Sequence, residues 1–297
     1  TVVKVTFLGF LFYFCLQFFL SRWESLQLSD RLGTISLSWI LVAALFTVGY
    51  YCLGLLIWAT ILHNLGSQPD FHMIVRAYAL SLLPKYIPGN FAAYGLRTQL
   101  AFRAKVPVSV SMKSFLLEAV FALGTAALIS IPGMVRFTPT FVHCFFAGII
   151  ALGALGLIAV IAARSFKPAS MDRFRVTAPP RFKGYVTVMF LYLLVWLVSG
   201  LAHWSLANAL QSYSLSHLAQ LMVAVPASWA IGFVSIFAPA GLGVREAVLY
   251  FFVNTWMAQT DIILFVTLSR LLMFGVEVFL TVSFVLYSKL APRPEMA

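Results

Sequence analysis

Six apolar runs of about helix length dominate this sequence, at residues 5–20, 35–62, 112–133, 138–163, 185–209 and 261–290. About 20 apolar residues in a helix cross roughly 30 Å of hydrocarbon, and in that layer the backbone polar groups must be satisfied within the protein. The runs predict an all-α membrane protein with about six spans. Composition agrees, since 62% of the 297 residues are hydrophobic and 10% charged, too little polar material to cover a soluble globule of this length. No long polar block interrupts the runs, so residues 1–297 read as a single transmembrane domain. The run at 5–20 follows one lysine and precedes no small-residue cleavage site, and is expected to remain as a span rather than leave as a signal peptide.

Two further apolar segments, 71–103 and 215–257, are broken in the middle by Pro and Gly: Lys85-Tyr-Ile-Pro-Gly-Asn90 in the first and Ala238-Pro-Ala-Gly-Leu-Gly243 in the second. The pieces beyond the breaks, 91–103 and 244–257, are too short to cross. Each segment is therefore expected to enter the membrane, turn near its middle and leave by the same side, as a re-entrant helical hairpin. The order span, broken segment, span occurs at about 35–133 and again at about 185–290, with one extra span between. That arrangement predicts an inverted repeat of two units. A short echo accompanies it: Gly95-Leu-Arg97 follows the first break and Gly243-Val-Arg245 the second.

Loop charges orient the chain. Lys4, Arg103, Lys105, Lys113, Arg164, Lys167, Arg173, Arg175, Arg181, Lys183, Lys289 and Arg293 fall on one face, against Arg22, Arg31 and Arg136 on the other. Twelve cations against three put the first face, with both termini, in the cytoplasm. The same pattern accounts for the net charge of +11 through topology and anionic lipid, and no nucleic-acid partner is expected.

Five cations remain inside the apolar segments, Arg76, Lys85, Arg97, Arg245 and Arg270, with three carboxylates, Glu118, Glu246 and Glu277. One charge at the centre of a lipid-facing helix costs about 2.5–3.5 kcal/mol, so this set must face an interior cavity. Arg76 sits near the start of its segment and is expected to snorkel to the surface. Glu277 either pairs with a neighbouring Ser or backbone group or joins the other charges at the cavity. Arg245 and Glu246 are adjacent and point apart on a helix, so each needs another partner, with Glu118 and Arg270 as candidates. The surplus of cations leaves room for an anionic ligand. Helix N-termini after the two breaks add partial positive charge, and arginine can grip a phosphate with two parallel hydrogen bonds.

Several chemistries are disfavoured. Cys15, Cys52 and Cys144 form no CxxC pair, and the five histidines are scattered, so neither metal nor cofactor is expected. There is no GxSxG elbow and no Walker loop. Asp70 and Asp172 are too isolated for an acid–base pair at the membrane surface. No catalytic constellation is visible, and the chain is expected not to be an enzyme.

The stretch Leu83–Asn90 with Arg97, then Glu118, then Pro239-Ala-Gly-Leu-Gly-Val-Arg-Glu246, and Arg270 within a span, resembles the transmembrane part of lysylphosphatidylglycerol synthase and its flippase-like relatives in glycan, glycolipid and hopanoid pathways. The resemblance covers nearly the whole chain and implies moving or presenting a lipid across the membrane. It does not extend to the soluble aminoacyl-transferring domain of those synthases, and no stretch here is expected to carry that transfer.

Together these readings predict a flippase or transporter in the cell (plasma or inner) membrane that moves an anionic, phosphate-containing lipid headgroup, polyprenyl-linked or glycerophospholipid. Lys85, Asn90, Arg97, Arg245 and Arg270 are the expected headgroup ligands, and Glu118 and Glu246 the coupling or ion-pair residues. The alternative is a lipid-binding accessory subunit or enzyme of polyprenyl-phosphate-dependent glycosylation. A homodimer or association with pathway enzymes is compatible with either.

Overall fold

A computed structural model describes residues 33–86, 91–134, 182–235 and 241–290. The described chain is helical and contains no strand. Its helices are α1 (Leu37–Asn64), α2 (Phe71–Leu80), α3 (Phe91–Arg103), α4 (Val108–Met134), α5 (Phe182–Leu210), α6 (Leu215–Val234), α7 (Val244–Val253) and α8 (Gln259–Leu290), with a 3-10 turn at Leu83–Tyr86.

Five of these, α1, α4, α5, α6 and α8, are long and apolar enough to cross a membrane. Four correspond to the expected spans at 35–62, 112–133, 185–209 and 261–290. The expected spans at 5–20 and 138–163 lie outside the described residues. The fifth, α6, is a difference from the sequence reading, which took it as one arm of a broken segment. Its 20 residues make about 30 Å of helix, enough to reach across the hydrocarbon. Pro226 within it loses one backbone hydrogen bond, which packed neighbours in a membrane bundle can offset.

Apolar side chains cover the outside of the bundle as well as filling its core. Leu37, Leu41 and Leu45 recur at every fourth position of α1 and are exposed, as are Leu271, Phe274 and Phe279 of α8, while Glu277 and Ser130 are fully buried. Water would penalise that surface, whereas lipid tails match it. Polar side chains instead tie helices together: Trp58 Nε1 donates to Ser114 Oγ (3.0 Å), Trp196 Nε1 to Thr125 Oγ1 (2.9 Å) and Ser130 Oγ to the Val223 carbonyl (3.0 Å). Helices α1 and α5 pack along each other. At one end Gly184 of α5 leaves room for Asn64, whose amide occupies the place a Cβ would take.

The two broken segments differ in length. In the first, Asp70 caps α2 by accepting from Met73 N–H, and α2 and α3 span only 10 and 13 residues, about 15 and 20 Å, before and after the break. In the second, the far ends of α6 and α7 meet, with the His217 ring 4.5 Å from that of Trp256. Their near ends meet as well, where a Cβ on Gly232 would lie 2.4 Å from Arg245 Cγ. The two helices therefore run antiparallel.

Candidate functional site

Among the described residues, Lys85, Arg97 and Arg270 each pair with one of the carboxylates Glu277, Glu118 and Glu246, and Arg245 does not. Arg97 of α3 donates from Nη1 to both oxygens of Glu118 on α4, at 3.2 and 3.1 Å, and from Nε to Ser81 Oγ at 3.0 Å. Its guanidinium also lies over the rings of Trp58, Tyr78 and Phe115, at 5.0, 4.8 and 5.6 Å. Aromatic faces attract a desolvated cation, so the rings add to the hold of Glu118 and Ser81 on Arg97.

Arg270 of α8 donates from Nε to Glu246 at the start of α7 and from Nη2 to the Gly241 carbonyl at 3.3 Å. This is one of the two partnerships expected for the Arg245–Glu246 neighbours. The other does not form, because Glu118 is taken by Arg97. The third pair joins Lys85, in the 3-10 turn, to Glu277 of α8, and the same carboxylate oxygen accepts from Tyr51 of α1. Glu277 is thus held by a lysine and a phenol rather than by a serine or the backbone. Arg76 is exposed and takes no part in these pairs. Asn90 lies outside the described residues.

Arg245 stands apart. Among the described residues it has no carboxylate partner, and its buried Nε has no hydrogen-bond acceptor. The side chain crosses Gly232 and lies 5.7 Å from the Trp229 ring. Gly241, at φ +70°, turns the chain immediately before α7, and a Cβ there would stand 2.8 Å from Arg245 Nε. The glycines of the second break thus make space for the arginine.

Arg245 and Arg270 both line a cavity of about 30 Å³, with Tyr50, His203, Ser199 and Ser228 among its other walls. That volume holds a water or two, not a headgroup. The Ser199 carbonyl can only accept, so His203 Nδ1, 2.8 Å away, carries a hydrogen and Nε2 is left as the second ring nitrogen. Ser228 donates its hydroxyl hydrogen to a carbonyl of its own helix, and rotation would free it for a ligand. A second cavity, of about 120 Å³, is lined by Glu118, Tyr78, Tyr94 and Tyr192. Tyr50, Trp196 and Trp229 line both cavities and form the wall between them.

The sequence reading named the cations of this region but not Tyr50, His203, Ser228 or Trp229. No sequence period brings α1, α5, α6 and α8 around one point. The described residues contain no cluster of three or more His, Cys, Asp or Glu able to hold a metal.

No curated protein matches the chain. Residues 2–280 match the family described as the lysylphosphatidylglycerol synthase TM region. With its apolar helices, buried ion pairs and this match over nearly its whole length, the chain belongs to the family of the lysylphosphatidylglycerol synthase transmembrane region.

Proposed function

We propose that this chain is a lipid transporter of the flippase type rather than an enzyme, and that its cargo bears an anionic, phosphate-containing headgroup. The observation that carries the reading is Arg245, an interior cation with no carboxylate among the described residues, beside Arg270 in a common cavity. An unbalanced charge at this depth is costly unless something arrives to neutralise it. A phosphate does so, and the arginine fork suits its geometry.

An inverted repeat sharpens the argument. If α1–α4 and α5–α8 are equivalent units, Arg97 corresponds to Arg245, each two residues after the glycine that follows its break, and Glu118 corresponds to Arg270 in the following span. The first unit is then self-neutralised by Arg97 and Glu118. In the second unit an arginine replaces the carboxylate, Glu246 engages that arginine, and Arg245 is left for an external anion. The shortness of α2 and α3 supports a re-entrant hairpin at 71–103, and the antiparallel contacts of α6 with α7 support a segment at 215–257 that returns to the side it enters from, although α6 is long enough to cross. The headgroup would pass through the polar interior while its tails follow the exposed apolar faces of the bundle. On the loop charges, both termini are cytoplasmic and the membrane is the cell membrane.

Reconstitution in liposomes tests this reading. Arg245→Met should keep the parent's thermal stability and lose translocation of a fluorescent phosphatidylglycerol by at least tenfold. Parent-like translocation by that variant would refute it.

A further inference from the structure

The ion pairs are chemically unequal. Glu118 and Glu246 are held by arginines, which keep their charge at any accessible pH, so protonating either carboxylate would strand a guanidinium. Glu277 is held by Lys85 and Tyr51, and a lysine is the cation whose proton a buried site can shift. Both hydrogen bonds arrive at Oε1. The other oxygen, Oε2, is buried with no partner among the described residues, in a residue with 0% exposure. A buried carboxylate oxygen without a donor is unfavourable while ionised, and a proton is the smallest ligand that relieves it. Lys85 retains 31% side-chain exposure and is the member of the pair that reaches the protein surface.

We infer that Glu277, with Lys85 and Tyr51, is a proton-binding site whose occupancy is linked to that of the anion site at Arg245. The inference rests on the transport reading and adds an energy source to it. Adjacent residues of α1 serve the two sites, since Tyr50 lines the Arg245 cavity and Tyr51 donates to Glu277. On α8, Arg270 and Glu277 are seven residues apart, two turns along one face and about 10 Å. Tyr86, beside Lys85, lies within hydrogen-bonding reach of the Glu277 carboxylate, and Tyr78 of α2 within electrostatic reach of it. Arg245 of α7 and Arg270 act in turn on Lys85.

The charge balance sets the direction of coupling. Glu277 takes up the proton while Lys85 keeps its own, so each proton bound raises the pair's net charge by one. One added positive charge about 10 Å from the cavity tightens a monoanionic phosphate on the order of tenfold, and the anion favours the proton by the same factor. A proton and a headgroup anion then bind together and leave together, the proton returning to water and the pair to its starting charge.

The test has two arms on the full chain. In detergent, short-chain phosphatidylglycerol should bind the parent on the order of tenfold more tightly at acidic than at alkaline pH, and infrared difference spectra should show a protonated carboxyl appearing as pH falls. Glu277→Gln should lose both responses. In liposomes, fluorescent phosphatidylglycerol should follow an imposed pH gradient in the parent and ignore it in the variant. Should Glu277→Gln fail to fold, Tyr51→Phe removes one donor but keeps the ring, and must shift the pH at which binding changes. An unshifted response, or parent binding that is independent of pH, overturns the proton site. Translocation without a gradient response overturns it too and leaves the transport reading standing. Linked binding without translocation sinks the transport reading instead.

Discussion

Arg97 rests one nitrogen on both carboxylate oxygens of Glu118, 21 residues further along the chain, inside a cage of three aromatic rings. Removing one partner of such a buried pair strands the other. Arg97→Met should therefore destabilise the protein by about 3–5 kcal/mol, and adding Glu118→Gln should recover part of that loss. The measurement is a double-mutant cycle read by unfolding in detergent. Additive losses would show that the two side chains act independently. Arg245→Met, by contrast, should cost little stability, so the two arginines that look alike in sequence separate by experiment.

Two glycines set the position of Arg245. A methyl on Gly232 would meet Arg245 Cγ at 2.4 Å, and the arginine must swing out of its cavity to accommodate it. Gly232→Ala should accordingly cut lipid translocation severalfold with a near-parent unfolding midpoint. Gly241 has φ +70° and faces the Gly232 backbone, with Cα and O at 3.0 Å from its would-be Cβ. Backbone cannot yield as a side chain does, and Gly241→Ala should cost about 1–2 kcal/mol in the same unfolding assay.

Topology is open to direct labelling. If 71–103 turns back within the membrane, cysteines placed at Gln68 and Lys105 share the cytoplasmic face, while cysteines at Ser212 and Ala258 share the outer one. A background with Cys15, Cys52 and Cys144 replaced by alanine leaves only the added thiol to react. An impermeant maleimide applied to intact cells should modify positions 212 and 258 and spare 68 and 105. Modification of 105 but not 68 would mean that the segment crosses.

Helix content was legible because lipid tolerates few alternatives. Runs such as 35–62 and 261–290 need no packing information to be recognised, and α1 and α8 fall within a few residues of them. Segment 215–234 was harder. Its length permits a span while the glycines after it signal a turn, and the His217–Trp256 contact that brings the ends of 215–257 together is 39 residues apart in sequence. Charge partners were legible only as a set. Counting cations against acids implied a surplus, but which cation is left over depends on α3 reaching α4 and α8 reaching both α7 and the turn at Lys85. The aromatic wall between the cavities carried no signal at all, because Tyr50, Trp196 and Trp229 come from three separate helices.

That wall leads to the last expectation. Trp229 stands edge-on to Trp196 at 5.4 Å and stacks on Phe233 at 5.0 Å, so its position is fixed by rings on both sides. It separates the cavity holding Arg245 from the larger one holding Glu118. Trp229→Ala should join the two, at a stability cost of about 3 kcal/mol, the lower end for a large aromatic because the residue is only half-buried. A joined passage offers a route past Arg245 without engaging it, so selectivity should fall before rate does. The quantity to follow is the ratio of translocation of fluorescent phosphatidylglycerol to that of fluorescent phosphatidylcholine in liposomes of one composition. Trp229→Ala should lower that ratio severalfold, and Trp229→Phe, which retains a ring in the wall, should stay close to the parent. An alanine variant that folds and keeps the parent ratio would remove Trp229 from any role in selecting the headgroup.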